Sequence, residues 1–199
     1  MSYTFAMRGA VFLWCAVTAC DDSLIGTPCV PATEESSPTF TGYDDQEVVI
    51  DPSSDHFHVC LVNHFRGLTT CPFGQNAAGT GHPLADGGSA PFPEGVGPCV
   101  DSHGAPVVGA VAPQCTDRLA RDTVFWTCPC ANPEGKTDDG RSYCSCPSGM
   151  TCAPLVPPNG DAVVSPNLLY CIPSGTDYEP FASCAQSCDP TIASCTATP

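Results

Sequence analysis

Residues 126–152 read WTCPCANPEGKTDDGRSYCSCPSGMTC and contain five cysteines, four of them in two C-x-C pairs. In an extended chain such a pair points both sulfurs to one face, which suits a metal cluster, a redox-active pair or two neighbouring disulfides. Structural zinc sites usually have a longer C-x₂₋₄-C spacing, whose turn lets both sulfurs reach one ion. The oxidation state of these sulfurs therefore decides the fold class.

The composition predicts a thin hydrophobic core. The 199 residues include 22 Pro, 18 Gly and only 8% aromatics, which favours short strands and turns over long helices. A core of this kind needs a covalent supplement, and 16 cysteines can supply it. The formal net charge of −15 repels phosphate backbones and anionic headgroups, which argues against nucleic-acid binding.

The N-terminus, MSYTFAMRGAVFLWCAVTAC, carries an apolar run that is too short to cross a bilayer and is typical of a secretory signal. Its end, Val17-Thr18-Ala19-Cys20, resembles the lipobox of bacterial lipoproteins. In that family the Cys thiol is diacylated and the signal is cut just before it. The resemblance implies a signal peptide over 1–19, a lipidated Cys20 and a membrane anchor on the non-cytoplasmic side of the cell envelope. It leaves the leaflet open. An ordinary cleavable signal is the alternative, and Met7 is a second candidate start.

Export answers the question about the C-x-C pairs. Cys15 leaves with the signal and Cys20 carries lipid, so an even number of cysteines remains, as a closed disulfide framework requires. We expect no resident cofactor and predict disulfides, with open connectivity, among Cys29, Cys60, Cys71, Cys99, Cys115, Cys128, Cys130, Cys144, Cys146, Cys152, Cys171, Cys184, Cys188 and Cys195.

The mature chain divides into three parts. Residues 20–45 are rich in Pro, Ser, Thr and acids, and they predict a disordered tether pinned to the body by Cys29. A β-rich block follows over 46–125 and a cysteine-dense block over 126–199, and 46–199 could form one domain because no linker separates the blocks. The predicted fold is small, all-β to irregular and disulfide-rich. It has short antiparallel strands, long loops and at most one short helix, at 113–122. Strands are predicted at 47–50, 56–62, 106–111, 123–128, 141–146, 151–156 and 167–172.

From Cys128 to Cys152 the pattern resembles an epidermal-growth-factor-like module, with a C-x-C step followed by CPSGMTC. By that resemblance, Cys146 would pair with Cys152. The calcium-binding members of the family need an acidic residue and Asn or Glu before the first Cys. Trp126 and Thr127 stand there, so calcium binding is not implied.

The candidate metal ligands are His56, His58 and His64. On a strand, an i, i+2 pair puts both imidazoles on one face, and Asp51 or Asp55 could complete a divalent-metal site. The alternative is that these histidines form the solvent-facing side of a half-buried strand.

The sequence contains no strong catalytic motif, and we predict that the chain is not an enzyme. Asp101, Ser102 and His103 are consecutive, whereas catalytic triads converge from separate segments, so this stretch predicts a turn. We expect a cell-envelope lipoprotein acting as a non-enzymatic structural or interaction module, for adhesion or binding, that contacts an envelope protein or a glycan. The alternative is a divalent-metal-binding envelope protein using the three histidines.

Overall fold

The computed structural model describes residues 22–37, 39–52, 57–84, 86–155, 168–176, 178, 184, 186–189 and 195. The predicted signal peptide and Cys20 lie outside these residues, as do Asp55 and His56. All fourteen cysteines of the predicted framework are among them.

Strands outnumber helices in the described part of the chain, and every element is short. The strands are β1 (Val48–Pro52), β2 (Val59–Asn63), β3 (His82–Pro83), β4 (Ser89–Ala90), β5 (Val124–Thr127), β6 (Pro129–Ala131), β7 (Met150–Pro154) and β8 (Leu169–Pro173). The helices are a 3₁₀ turn at Asp22–Leu24 and two single turns, α1 (Ala32–Ser36) and α2 (Ala120–Thr123). The predicted fold class is confirmed, with one more short α-helix than expected and a 3₁₀ turn besides.

The first sheet is antiparallel and has the order β1-β2-β5. All five residues of β2 are buried, because β2 is the central strand and both of its faces are covered. Its Val59, Leu61 and Val62 fit such a strand, since β-branched and aliphatic side chains pack well on a pleated surface.

The second sheet is also antiparallel, in the order β6-β8-β7, and it adjoins the first. The chain passes from β5 to β6 through the buried Cys128. Leu61 and Phe125 of the first sheet pack with Ile172 of the second, and the Thr127 hydroxyl donates to the Cys171 carbonyl at 2.6 Å. The β-rich and cysteine-dense blocks therefore share a core.

The described part of segment 20–45 is packed against the body, so the prediction of a disordered tether is wrong there. Gly26 donates its N–H to the Trp126 carbonyl at 2.8 Å, and Trp126 donates back to Thr27 at 2.9 Å. Ile25 is buried, and Cys29 is bonded to Cys60. The segment pairs with the free edge of β5. It is therefore held by backbone hydrogen bonds and a disulfide, although its sequence has no apolar periodicity.

Two predicted strands are absent, and the predicted helix is mostly absent. Residues 106–111 form only isolated bridges, and 141–146 have no strand structure. In both stretches the backbone is held by loop contacts, such as the Cys144 N–H bond to the Pro129 carbonyl. The helix predicted at 113–122 is the single turn α2, because 113–119 instead bonds to distant loops.

Seven disulfides staple the body, and together they use every cysteine of the predicted framework. They are Cys29–Cys60, Cys71–Cys99, Cys115–Cys184, Cys128–Cys144, Cys130–Cys152, Cys146–Cys171 and Cys188–Cys195. The predicted pairing of Cys146 with Cys152 is wrong. Cys146 reaches into β8 instead, because β8 lies between β6 and β7 and brings Cys171 to the cluster.

Candidate functional site

An open polar groove of about 780 Å³ runs between the segment at 41–47 and loops of the first block. Its walls come from five separate stretches of chain, and few of its lining side chains are apolar. The lining residues are Thr41, Gly42, Tyr43, Asp44, Asp45, Glu47, Arg66, Gln75, Asn76, Pro83, Gly87, Gly88, Ser89, Ala110, Val111, Ala112 and Pro113.

Three carboxylates give the groove its charge. Asp44 and Glu47 are exposed, and Asp45 is half-buried between them in sequence. Burial raises the pKa of Asp45, and a hydrogen bond and the charge of Asp44 raise it further. The cation in the groove, Arg66, is already engaged, because its guanidinium donates to the Pro113 carbonyl at 2.9 Å and to the Ser187 hydroxyl at 2.6 Å. The groove therefore presents net negative charge.

The floor of the groove is held rigidly. The Gln75 side chain is 1% exposed, and its amide donates to the carbonyls of Val107 and Gly109 at 2.9 and 2.7 Å. Its carbonyl accepts the Cys99 N–H at 2.9 Å. One buried amide thus fixes three points of the chain at 99–109, and the Cys71–Cys99 bridge holds the first of them.

The histidines are not gathered into one metal site. His58 precedes β2 and His64 follows it, so six residues of extended chain, about 20 Å, separate them. They are 4% and 0% exposed, so the alternative of a solvent-facing polar side is wrong as well. Because His56 lies outside the described residues, the pair that it would form with His58 stays a prediction.

His64 has a structural environment. Its Nδ1 lies 3.0 Å from the Asp45 carbonyl oxygen, and its ring stacks on Tyr178 with centroids 3.5 Å apart. It sits in the left-handed region at φ 53°, where the chain turns out of β2. Asp51, a proposed partner, accepts the backbone N–H of Ala32 and so helps to dock α1.

Arg118 is a key residue that sequence reasoning missed. It is 1% exposed, and its guanidinium donates to the carbonyls of Asn63, His64 and Thr176 at 2.6, 2.8 and 3.0 Å. These bonds tie the end of β2 to the chain that follows β8. The sequence gives only a weak indication of this role. It holds only six Lys and Arg residues, and the residues around Arg118 do not mark it as buried.

Glu34 is a second buried charge that the sequence did not reveal. One of its carboxylate oxygens accepts the N–H and hydroxyl of Thr69 at 3.1 and 2.6 Å. The other oxygen has no hydrogen-bond partner, and neither has the buried hydroxyl of Tyr43. Burial raises the pKa of Glu34, and the hydrogen bonds from Thr69 lower it by less.

Sulfurs dominate the groups of potential metal ligands. In three sets the ligand atoms lie within 4.8 Å of one another, namely Cys128/Cys144/Cys171, Cys130/Cys146/Cys171 and Asp45/Cys115/Cys184. These groups could hold a metal, but every sulfur in them is disulfide-bonded here, and metals bind the thiolate. Histidine does not contribute to any of these sets within the described ranges.

The Asp101-Ser102-His103 stretch forms the predicted turn. The Ser102 hydroxyl lies 3.3 Å from His103 Nδ1, but Asp101 accepts the backbone N–H groups of His103 and Ala105 rather than the imidazole. Ser102 is half-buried and His103 is exposed, so a water-excluding pocket does not surround them. The turn is a local capping motif.

Comparison with family models, with curated proteins and with solved structures finds no match to this chain. None of the helices among the described residues has the length and apolarity needed to cross a membrane.

Proposed function

We propose that this protein is a cell-envelope lipoprotein, anchored through Cys20, whose stapled body is a non-enzymatic binding module. The observation that carries the proposal is the acidic groove between loops that disulfides and buried side chains hold in place. Such preorganisation favours recognition, because little conformational entropy is lost on binding.

The seven disulfides support the exported part of the proposal. Disulfides form and persist in oxidising compartments such as the bacterial periplasm and the cell surface. The lipobox-like stretch Val17–Cys20 supports the anchor, and it makes the membrane the first partner.

The charge of the groove supports a basic partner. Asp44 and Glu47 are exposed at the groove, and Arg66 is the single cation among its lining residues, against three carboxylates. We therefore propose that the groove takes a Lys- or Arg-rich segment of another envelope protein, because opposite charge steers encounter and fixes register. A glycan is the competing occupant.

The anchor is tested by intact mass of protein extracted from the envelope of an expressing bacterium. We expect a chain that begins at Cys20 and carries acyl chains. Cys20→Ala should abolish acylation, while the matched Cys15→Ala in the same leader should leave it intact. A chain that retains Met1 or Met7 without fatty acid would remove the lipoprotein proposal.

The groove is tested by photo-crosslinking in the envelope. A photoreactive residue replaces Ser89, which is exposed and lines the groove, or Ser148, which is exposed and does not line it. We expect a protein adduct from position 89 that Asp44→Asn/Glu47→Gln weakens. Equal adducts from both positions, or a glycan adduct alone, would overturn the basic-protein assignment.

A further inference from the structure

Three disulfides of the second block form one cluster of sulfurs. The Sγ atoms of Cys144 and Cys171, which belong to different bridges, lie 3.7 Å apart. Cys171 also lies within 4.8 Å of the sulfurs of Cys130 and Cys146, while Cys128 joins it on the other side. Cys171 therefore lies next to both neighbouring bridges, and the six sulfurs of the three bridges form one cluster.

The cluster has a single exposed entrance. Of the fourteen bridged cysteines, all of which the structure describes, Cys152 is the one that is exposed. It lies on β7 at the edge of the second sheet, directly opposite Cys171 of β8. Its bond to the buried Cys130 leads from the surface into the cluster.

We propose that Cys152 is a thiolation site for a low-molecular-weight thiol, and that the sulfur cluster relays the released thiolate inwards by disulfide exchange. Thiol–disulfide exchange proceeds when a thiolate attacks one sulfur of a disulfide and the other sulfur leaves. A chain of closely spaced bridges permits such attacks in succession. The inference is independent of the groove and of the lipid anchor.

The first step uses the external thiol. Its thiolate bonds to the Cys152 sulfur, the Cys130–Cys152 bond breaks, and Cys130 leaves as a thiolate. The product is a mixed disulfide at Cys152, and no electrons are gained or lost overall because one disulfide replaces another.

The second step is intramolecular. The Cys130 thiolate attacks the Cys146–Cys171 bridge, both sulfurs of which lie within 4.8 Å of it. Attack at Cys171 forms Cys130–Cys171 and releases Cys146. Attack at Cys146 forms Cys130–Cys146 and releases Cys171.

A released Cys171 thiolate can attack one further bridge, Cys128–Cys144, at the Cys144 sulfur, which lies 3.7 Å away. Attack there forms Cys144–Cys171 and releases Cys128, which takes its proton from solvent. The number of disulfides is unchanged at each step. The free thiol thus ends at Cys146 or Cys128, each of which belongs to a different bridge from the modified Cys152.

The experiment treats the native mature protein with 2-mercaptoethanol and then maps its sulfurs. Exchange is stopped with acid, free thiols are labelled with N-ethylmaleimide, and peptides are identified by mass spectrometry. We expect the mixed disulfide first at Cys152, with more label on Cys128 and Cys146 together than on Cys130. The rate should rise about tenfold per pH unit between pH 6 and 8, because the attacking species is the thiolate.

A variant without the middle bridge isolates the relay. In Cys146→Ala/Cys171→Ala, thiolation at Cys152 should persist and the label should stay on Cys130. Cys71→Ala/Cys99→Ala, which removes a bridge outside the cluster, should keep the parent pattern. Label confined to Cys130 in the parent protein, or first modification at any other bridge, would overturn the proposal. Both outcomes are measured on the parent protein, so the test does not depend on whether the variants fold.

Discussion

Removal of the Cys29–Cys60 bridge measures how strongly the N-terminal segment is held. The bridge closes a loop with a sequence separation of 31, and the sequence places no other cysteine inside it. The loss of loop-closure entropy therefore applies to the whole length and amounts to about 3.7 kcal/mol at 25 °C. We expect Cys29→Ala/Cys60→Ala to lower the free energy of unfolding by about this amount.

The assay combines urea unfolding with limited proteolysis by a glutamate-specific protease. Cleavage after Glu34 or Glu35 should accelerate in the variant, because α1 is then held only by noncovalent contacts. Cys71→Ala/Cys99→Ala is the matched control: its separation of 28 predicts a loss of about 3.6 kcal/mol, without faster cleavage at α1. A loss below about 1 kcal/mol, or unchanged cleavage at α1, would refute the account of the docked segment.

Three further predictions concern single side chains. Arg118→Met should lower the free energy of unfolding by about 3–5 kcal/mol in urea titrations, because three buried carbonyls lose a charged donor; an effect below about 1 kcal/mol would contradict this. Gly67→Ala should cost about 3 kcal/mol, since φ is 91° and a Cβ would collide with a backbone carbonyl, whereas Gly79→Ala, at φ 67° in open space, should cost only about 1–2 kcal/mol; equal losses would refute the collision. Glu34 has a raised folded pKa, so its contribution to stability is full below about pH 4.5 and is lost as pH rises through that pKa. Urea titrations at several pH values should show that Glu34→Gln removes this fall in the free energy of unfolding. The same pH dependence in the variant and the parent would contradict the prediction.

Apolar runs bounded by turn residues predicted most of the strands, although the run at 106–111 forms only isolated bridges. The runs around Ile50, Leu61 and Phe125 became the first sheet, and those around Cys152 and Cys171 became the β7–β8 pair. Burial agrees with the local pattern in β2, β5 and β8, whereas β7 is mostly exposed and is held by its pairing with β8. The disulfide content was likewise predictable, because a signal-like N-terminus and an even number of cysteines after it both favour a disulfide framework.

Connectivity, the groove and the buried charges depended on tertiary packing. Cys146 pairs with Cys171 because sheet order brings β8 between β6 and β7, which a spacing rule cannot express. The groove draws its walls from five separated stretches, and Arg118 finds its carbonyls more than fifty residues away in sequence. Segment 22–45 looked disordered because its buried apolar residues, Ile25, Cys29 and Tyr43, are widely spaced in sequence.

The early burial of Ile25 has a mechanical consequence for a chain acylated at Cys20. Ile25 is only five residues beyond the lipid-bearing Cys20, so the chain between them would span at most about 17 Å. The folded body would then lie close to the lipid headgroups. Its acidic surface would be repelled by anionic lipids within a Debye length of about 8 Å. That repulsion would turn its least acidic side toward the bilayer, which would leave the acidic groove open to a partner on the side away from the headgroups.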